Sequence, residues 1–212
     1  MPDRHPAAEY VRLFPSEDIP RIVQNIQECC CSLIRIQPGE WENSLSERLF
    51  KKLLRFPEYH TGPIEPHMES ITIDCEKDEP EITGRTDLKF SCGRGVQTYF
   101  AVEAKRLFIT YPSGKTATLI SDYINDGMMR FVKGQYASKM NAGAMLGYVC
   151  DKKVPDAKMA LSAAVNKEKV LLKMMEEGEW QLSDLCVNPP IDETRHLLAQ
   201  GEFTIYHILT PV

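Results

Sequence analysis

GRTDLKFSCGRGVQTYFAVEAK, residues 84–105, has the pattern of a β-hairpin. An alternating run from Asp87 to Ser91 leads into a Cys-Gly-Arg-Gly turn, and a second run from Thr98 to Lys105 carries aromatic and β-branched residues. Side chains alternate across a strand, so Glu103 and Lys105 share one face while Val102 and Ala104 point to the other. With the turn centred near Gly93 to Gly95, Asp87 falls roughly opposite Ala101, on the face of Glu103 and Lys105 and within diagonal cross-strand reach. Two carboxylates and one ammonium then converge on a point of the sheet surface. Such an oxygen-rich, incomplete cage suits a hard cation such as Mg2+, with water and a substrate phosphate completing the shell. The lysine beside it would hold or polarise an attacking water, or offset charge building on the phosphorane. Read alone, the same charges also describe a salt-bridged hairpin on a solvated sheet face.

Asp87, followed by Glu103-Ala104-Lys105 at the end of the next strand, resembles the motif of the PD-(D/E)XK, restriction endonuclease-like nuclease superfamily, with Thr86 in place of the usual proline. The resemblance covers residues 40–150. It implies an α/β fold with a mixed central sheet flanked by helices, an αβββαβ core, and hydrolysis of a phosphodiester assisted by Mg2+ or Mn2+. In that family's terms Asp87 and Glu103 would bind the metal with the Ala104 carbonyl, and Lys105 would position the attacking water. A helix ahead of the first core strand often adds an acid, for which Glu47 is the first choice and Glu42 the second. Glu47 has an equal claim as the capping-box partner of Ser44.

The helix after the E-x-K strand often returns a glutamine or a basic residue to the metal site. That points to Gln135, beside Tyr136, and to Lys133 and Arg130, although a core stripe with a solvated outer face fits the same residues. Arg106 and Lys115, in the loop behind the strand, would supply charge for phosphates. DNA is the commonest substrate of the superfamily. A small acidic member without a DNA-reading module resembles the effector subunits of prokaryotic antiphage defence systems, which rely on a partner. Alternatives are a member that keeps the fold as a binding or scaffold subunit or acts on RNA, and an unrelated α/β interaction protein with structural charges.

With 212 residues, 43% of them hydrophobic, the chain can bury a full core. A net charge of −5 gives no general attraction to nucleic acid, so DNA binding would need a local patch, a metal-neutralised site, an oligomer or a partner protein. The seven cysteines, three of them consecutive at 29–31, lack zinc spacing and read as reduced thiols packing the core of a cytoplasmic protein. No signal peptide or membrane-spanning run stands out, which predicts no membrane contact. Gly114-Lys115-Thr116 lacks the upstream glycine of a phosphate loop.

Hydrophobic periodicity predicts helices over 21–35, 41–56, 118–140 (bent at Gly127 or Gly134) and 155–178, and strands over 69–75, 144–150 and 203–209. Residues 57–67 read as a loop, in which His60 and His67 are solvated, and His207 reads as a core or edge residue. The expected division is an N-terminal arm and helix over 1–39, a nuclease core over 40–150, and a C-terminal helix and strand over 151–212 completing the same domain.

Overall fold

The computed structural model describes residues 14–37, 39–74, 81–93 and 98–212. Most of the N-terminal arm, Pro38, the acidic turn at 75–80 and the Arg94–Gly95 part of the hairpin turn lie outside the described residues.

A 3-10 turn (Ser16–Asp18) leads into helix α1 (Ile19–Cys31), where Pro20 sits in the first turn and costs no hydrogen bond. Ile22, Val23, Ile26, Cys29 and Cys30 form its buried stripe. Of the three consecutive cysteines only two pack inward, because one further residue turns Cys31 out to solvent. Burial pushes the Cys29 thiol up to about 11 and the Cys30 thiol up to about 12, which keeps both protonated. Helix α2 (Glu42–Leu53) buries Leu45, Leu49 and Leu53 at four-residue spacing. A one-turn helix α3 (Glu58–Thr61) interrupts the predicted loop before the first strand.

The strands are β1 (Glu65–Asp74), β2 (Glu81–Ser91), β3 (Tyr99–Leu107), the short pair β4 (Ile109–Thr110) and β5 (Thr116–Ala117), then β6 (Ala142–Val149), β7 (Gln181–Val187), β8 (Pro190–Leu198) and β9 (Gly201–Pro211). Between β5 and β6 runs one helical stretch: α4 (Ile120–Tyr123), a π-helical turn (Ile124–Met128) and α5 (Met129–Val132). Helix α6 (Val154–Lys167) follows β6. Among the described residues, seven strands form one mixed sheet in the order β1-β2-β3-β6-β9-β8-β7. The pairs β3–β6 and β6–β9 are parallel, and the remaining neighbours are antiparallel. Every residue of β6 is buried, as its continuous apolar run predicts for a central parallel strand.

Helices cover both faces. Tyr148 hydrogen-bonds Ser46 of α2 at 3.2 Å on one side. On the other, Met145 lies against Gly127 and Phe131 against Gly143. The parallel register puts Glu103 beside Met145 and Lys105 beside Gly147, so both point toward the α4–α5 stretch.

Three expectations are corrected. The predicted helix over 118–140 ends at Val132, because Gly134 takes a left-handed φ of 69° and its N–H closes onto Phe131 O at 2.9 Å. The helix predicted to reach residue 178 stops at Lys167. The C-terminal region holds three strands where one is expected, and they continue the same sheet.

On β9, His207 is fully enclosed, hydrogen-bonded to Tyr123 Oη at 2.8 Å and Thr194 Oγ1 at 3.0 Å, with Trp180 stacked 4.0 Å away. Burial holds its pKa well below the ordinary histidine range, so it is a neutral core residue.

Gly84 marks a close approach. A Cβ there would lie 2.5 Å from Tyr136 Cε1. Gly84→Ala is expected to lose ~1–3 kcal/mol by forcing the two apart, read as a lowered urea midpoint at unchanged m-value.

Candidate active site

Strands β2 and β3 pair from Ser91↔Tyr99 to Leu88↔Val102. This register is shifted by two residues from the expected one, and a two-residue shift preserves the face. Continued one step it sets Asp87 beside Glu103. The ladder stops at Leu88, however, and Asp87 Oδ2 accepts the Ala104 N–H at 2.7 Å instead. A side chain thus occupies the place of a backbone acceptor where the two strands part. On the other flank, Met68 pairs with Leu88 and Ser70 with Thr86, while Glu69 between them takes a left-handed φ of 47°. That conformation is uncommon for a non-glycine residue and marks a local departure from the pleat.

Lys105 Nζ is the hub. It donates to Glu103 Oε1 at 2.7 Å, to the Ala104 carbonyl at 2.8 Å and to Glu42 Oε1 at 3.2 Å. Glu103 is 1% exposed and Lys105 8%. Arg130 Nη1 reaches Glu103 Oε1 at 3.2 Å from the other side, and also bonds Tyr136 Oη, which in turn donates to the Arg85 carbonyl. Glu42, the first residue of α2, accepts the Arg106 N–H on its Oε2 at 2.9 Å. Its position at a helix N-terminus favours a carboxylate.

Three carboxylates, Asp87, Glu103 and Glu42, therefore share Lys105 and Arg130. The acids are under-neutralised. Burial, reinforced by the Asp87 charge and only partly offset by Lys105 and Arg130, pushes Glu103 up to about 7. Burial likewise raises Asp87 against the pull of Lys105 and the Ala104 N–H, and raises Glu42 against the pull of Lys105. For Lys105, burial opposes the charged form, but Glu103 and Glu42 outweigh it and hold the ammonium above the usual lysine range. Among the described residues Glu103 Oε2 is buried and accepts from no N–H or hydroxyl, and the proton that the raised Glu103 holds is shared with the Asp87 carboxyl.

Of the cluster, Glu42 and Lys105 line a cavity of about 710 Å³ together with Trp41, Arg106, Leu119 and an acidic rim of Glu47, Glu69, Asp122 and Asp126, while Asp87, Glu103 and Arg130 lie behind that lining. Asp87, Glu103, Lys105 and Arg130 are thus brought together as the sequence suggests. Glu47 is not. It lies five residues beyond Glu42, about 140° around the helix, half exposed and paired with Lys51 at 2.5 Å. The helix acid in the cluster is Glu42. Nor does the Ser44–Glu47 capping box form, because the helix already starts at Glu42 and Ser44 Oγ donates to Glu40 Oε1 at 2.8 Å.

Gln135 is also displaced. It is exposed, and its carbonyl accepts from Thr72 and Thr83, each at 3.0 Å. The following residue, Tyr136, turns inward instead and supports Arg130. Lys133 and Lys115 are exposed. Arg106 lines the cavity, but its Nη1 is engaged with the Gly39 and Glu40 carbonyls at 3.3 and 2.9 Å. Sequence reasoning gives no role to Glu69 or Glu40; the former needs the β1 distortion to be noticed, the latter a contact with Arg48.

Among the described residues no group of three or more His, Cys, Asp or Glu side chains stands in a metal-holding arrangement. The Ala104 carbonyl and one oxygen each of Glu103 and Glu42 are taken by Lys105. The donor chemistry still fits a hard divalent cation, since every donor is oxygen, carboxylates exceed cations, and Lys105 and Arg130 both take Glu103 Oε1 and leave Oε2 to its carboxyl neighbour Asp87. No helix among the described residues is long and apolar enough to cross a membrane. No family model, curated protein or solved structure matches the chain, so the reading of this site rests on its own geometry.

Proposed function

We propose that this protein is a metal-dependent phosphodiesterase of the restriction endonuclease-like kind, cutting DNA with Mg2+ or Mn2+ as a subunit of a complex in nucleic-acid defence. The observation that carries this reading is the convergence of Asp87, Glu103, Glu42 and Lys105 at the point where β2 and β3 part, with Glu42 and Lys105 opening onto a cavity and more carboxylate than the local cations neutralise. The order of elements supports it too: a helix, the β1-β2-β3 meander, a helical stretch and parallel β6 follow the αβββαβ sequence of that fold.

Glu103, Asp87 and Glu42 would hold the ion, with the Ala104 carbonyl beside them. Bound there, the ion would supply a water of lowered pKa and a counter-charge for the leaving oxygen. Lys105, with donors toward the same oxygens, would orient that water. Arg130 would offset charge on the phosphate, held in place by Tyr136. The acidic rim repels a bare polyanion, so a basic surface from a second copy or a partner protein would complete the DNA path.

One observation favours a second reading, a binding or scaffold subunit whose charges are structural: Lys105 Nζ already spans Glu103, Glu42 and the Ala104 carbonyl. Cleavage of plasmid and single-stranded DNA separates the two. The nuclease reading expects Mg2+- or Mn2+-dependent cutting that falls at least about a thousandfold in both Glu103→Ala and Lys105→Ala. Absence of cutting, together with no calorimetric binding of Mn2+ by the wild type, would leave the structural reading in its place.

A further inference from the structure

Trp41 is 74% exposed, although tryptophan is a residue that proteins usually cover. Its position is fixed all the same. The Arg106 guanidinium lies 5.0 Å from the ring centroid, and Arg106 Nη1 clamps the Gly39 and Glu40 carbonyls immediately before it. The Glu40 side chain, 4% exposed, accepts the Ile36 N–H at 2.8 Å, Ser44 Oγ at 2.8 Å and Arg48 Nη2 at 2.8 and 2.9 Å, which locks the turn leading into α2. The indole lines the same cavity as Lys105, and the next residue, Glu42, touches Lys105 Nζ at 3.2 Å. A rigid, exposed aromatic ring held by a guanidinium over one face, with the other face open and one residue from the cluster, has the make-up of a nucleobase platform.

We propose that Trp41 stacks on an unpaired base and that the nucleic acid meets this site as a single strand. The proposal rests on the phosphodiesterase reading and narrows it. A duplex hides its base faces in its own stack, whereas a single strand offers one to the indole without regard to sequence. Arg106 covers one face of the indole, which leaves the other face for the base, and in Mg2+ the divalent cation offsets the rim acids.

The test uses the full chain in Mg2+ with one oligonucleotide in three forms: single-stranded DNA, single-stranded RNA and duplex DNA. Trp180 is half buried against His207, so the red edge of the tryptophan emission reports Trp41. The expected result is quenching of that edge by single strands, binding weakened about tenfold or more in Trp41→Ala, most of it regained in Trp41→Tyr, and duplex binding unchanged by either substitution. The DNA and RNA arms say which single strand is preferred. Single-strand affinity that is unchanged in Trp41→Ala, or that falls in step with duplex affinity, overturns the proposal. An emission that responds to none of the three overturns it as well and leaves the wall, with exposed Ile34 and Ile36 on the same turn, to a protein partner. Cleavage is scored separately on the same variants. Quenching without cleavage leaves the platform standing and removes the enzyme, while cleavage indifferent to Trp41 does the reverse.

Discussion

Lys105→Ala is expected to lower the melting temperature at pH 8 by on the order of 10 °C, and by less than half as much at pH 5. The lysine is the ammonium shared by Glu103 and Glu42, and both it and Glu103 are shielded from water. Removing one partner of a buried pair leaves the other charge uncompensated, at a cost of ~3–5 kcal/mol, and for a domain of this size each kcal/mol moves the melting point by roughly 2–4 °C. The pH dependence follows from Glu103. Its folded pKa, about 7, lies above its unfolded value, so between the two the native state keeps a proton that the unfolded chain gives up. Stability therefore falls as pH rises through that window. Without Lys105 all three carboxylates lose a counter-charge and their pKa values rise further, which extends the loss toward alkaline pH. At pH 5 protonation relieves most of it. Thermal melts at the two pH values check this, and Lys105→Ala/Glu103→Gln should recover much of the loss at pH 8. Equal losses at both pH values would mean that the lysine acts through the packing of its stem.

Glu40→Ala should be nearly as costly, at ~3–5 kcal/mol. Burial alone would raise the Glu40 pKa, but the Ile36 N–H, Ser44 and Arg48 together hold the carboxyl below the usual range. A depressed folded pKa stabilises above the unfolded value and fades as the pH falls through the folded one, so the contribution is fully present at pH 7. The alanine leaves Arg48 without the carboxylate it grips through Nη2, and frees the Ile36 N–H. Urea midpoints at pH 7 measure the loss. A double-mutant cycle with Arg48→Met should show strong coupling, because the second substitution removes the charge that the first one stranded. Additive losses would assign the effect to the turn rather than to the pair.

Which features were legible from the sequence follows the range of the interactions. The period-2 alternation of 84–105 is local, and it puts Asp87, Glu103 and Lys105 on one face even though the pairing is two residues away from the expected one. A one-residue error would have separated them. The sequence shows that a helix lies near 41–56 but not where its first turn sits: Trp41 gives no side-chain cap and Ser44 lies inside the helix, so a Ser44–Glu47 cap is the local reading and puts Glu47 ahead of Glu42. Strands β7 and β8 are hidden in the sequence for a different reason. Their pattern is inverted: Ser183, Asp192, Glu193, Thr194 and His196 are buried, while Leu182 and Leu197 face out. Such strands take their place through partners such as Ser183 Oγ on Glu193 Oε2 at 2.6 Å and Lys158 on Asp192 at 2.7 Å, none of which is adjacent in sequence. Burial of polar groups is readable only once those partners are known.

The π-helical turn at Ile124–Met128 lodges an extra residue in the helix that delivers Arg130. A π turn spends one more residue than an α turn on nearly the same rotation, so removing one residue there would let the helix close into regular α geometry with Arg130 still facing Glu103. In an alignment, a single-position gap at 124–128 is therefore compatible with a retained arginine contact, whereas the same gap in the α-helical turn before it would swing Arg130 away by about 100°.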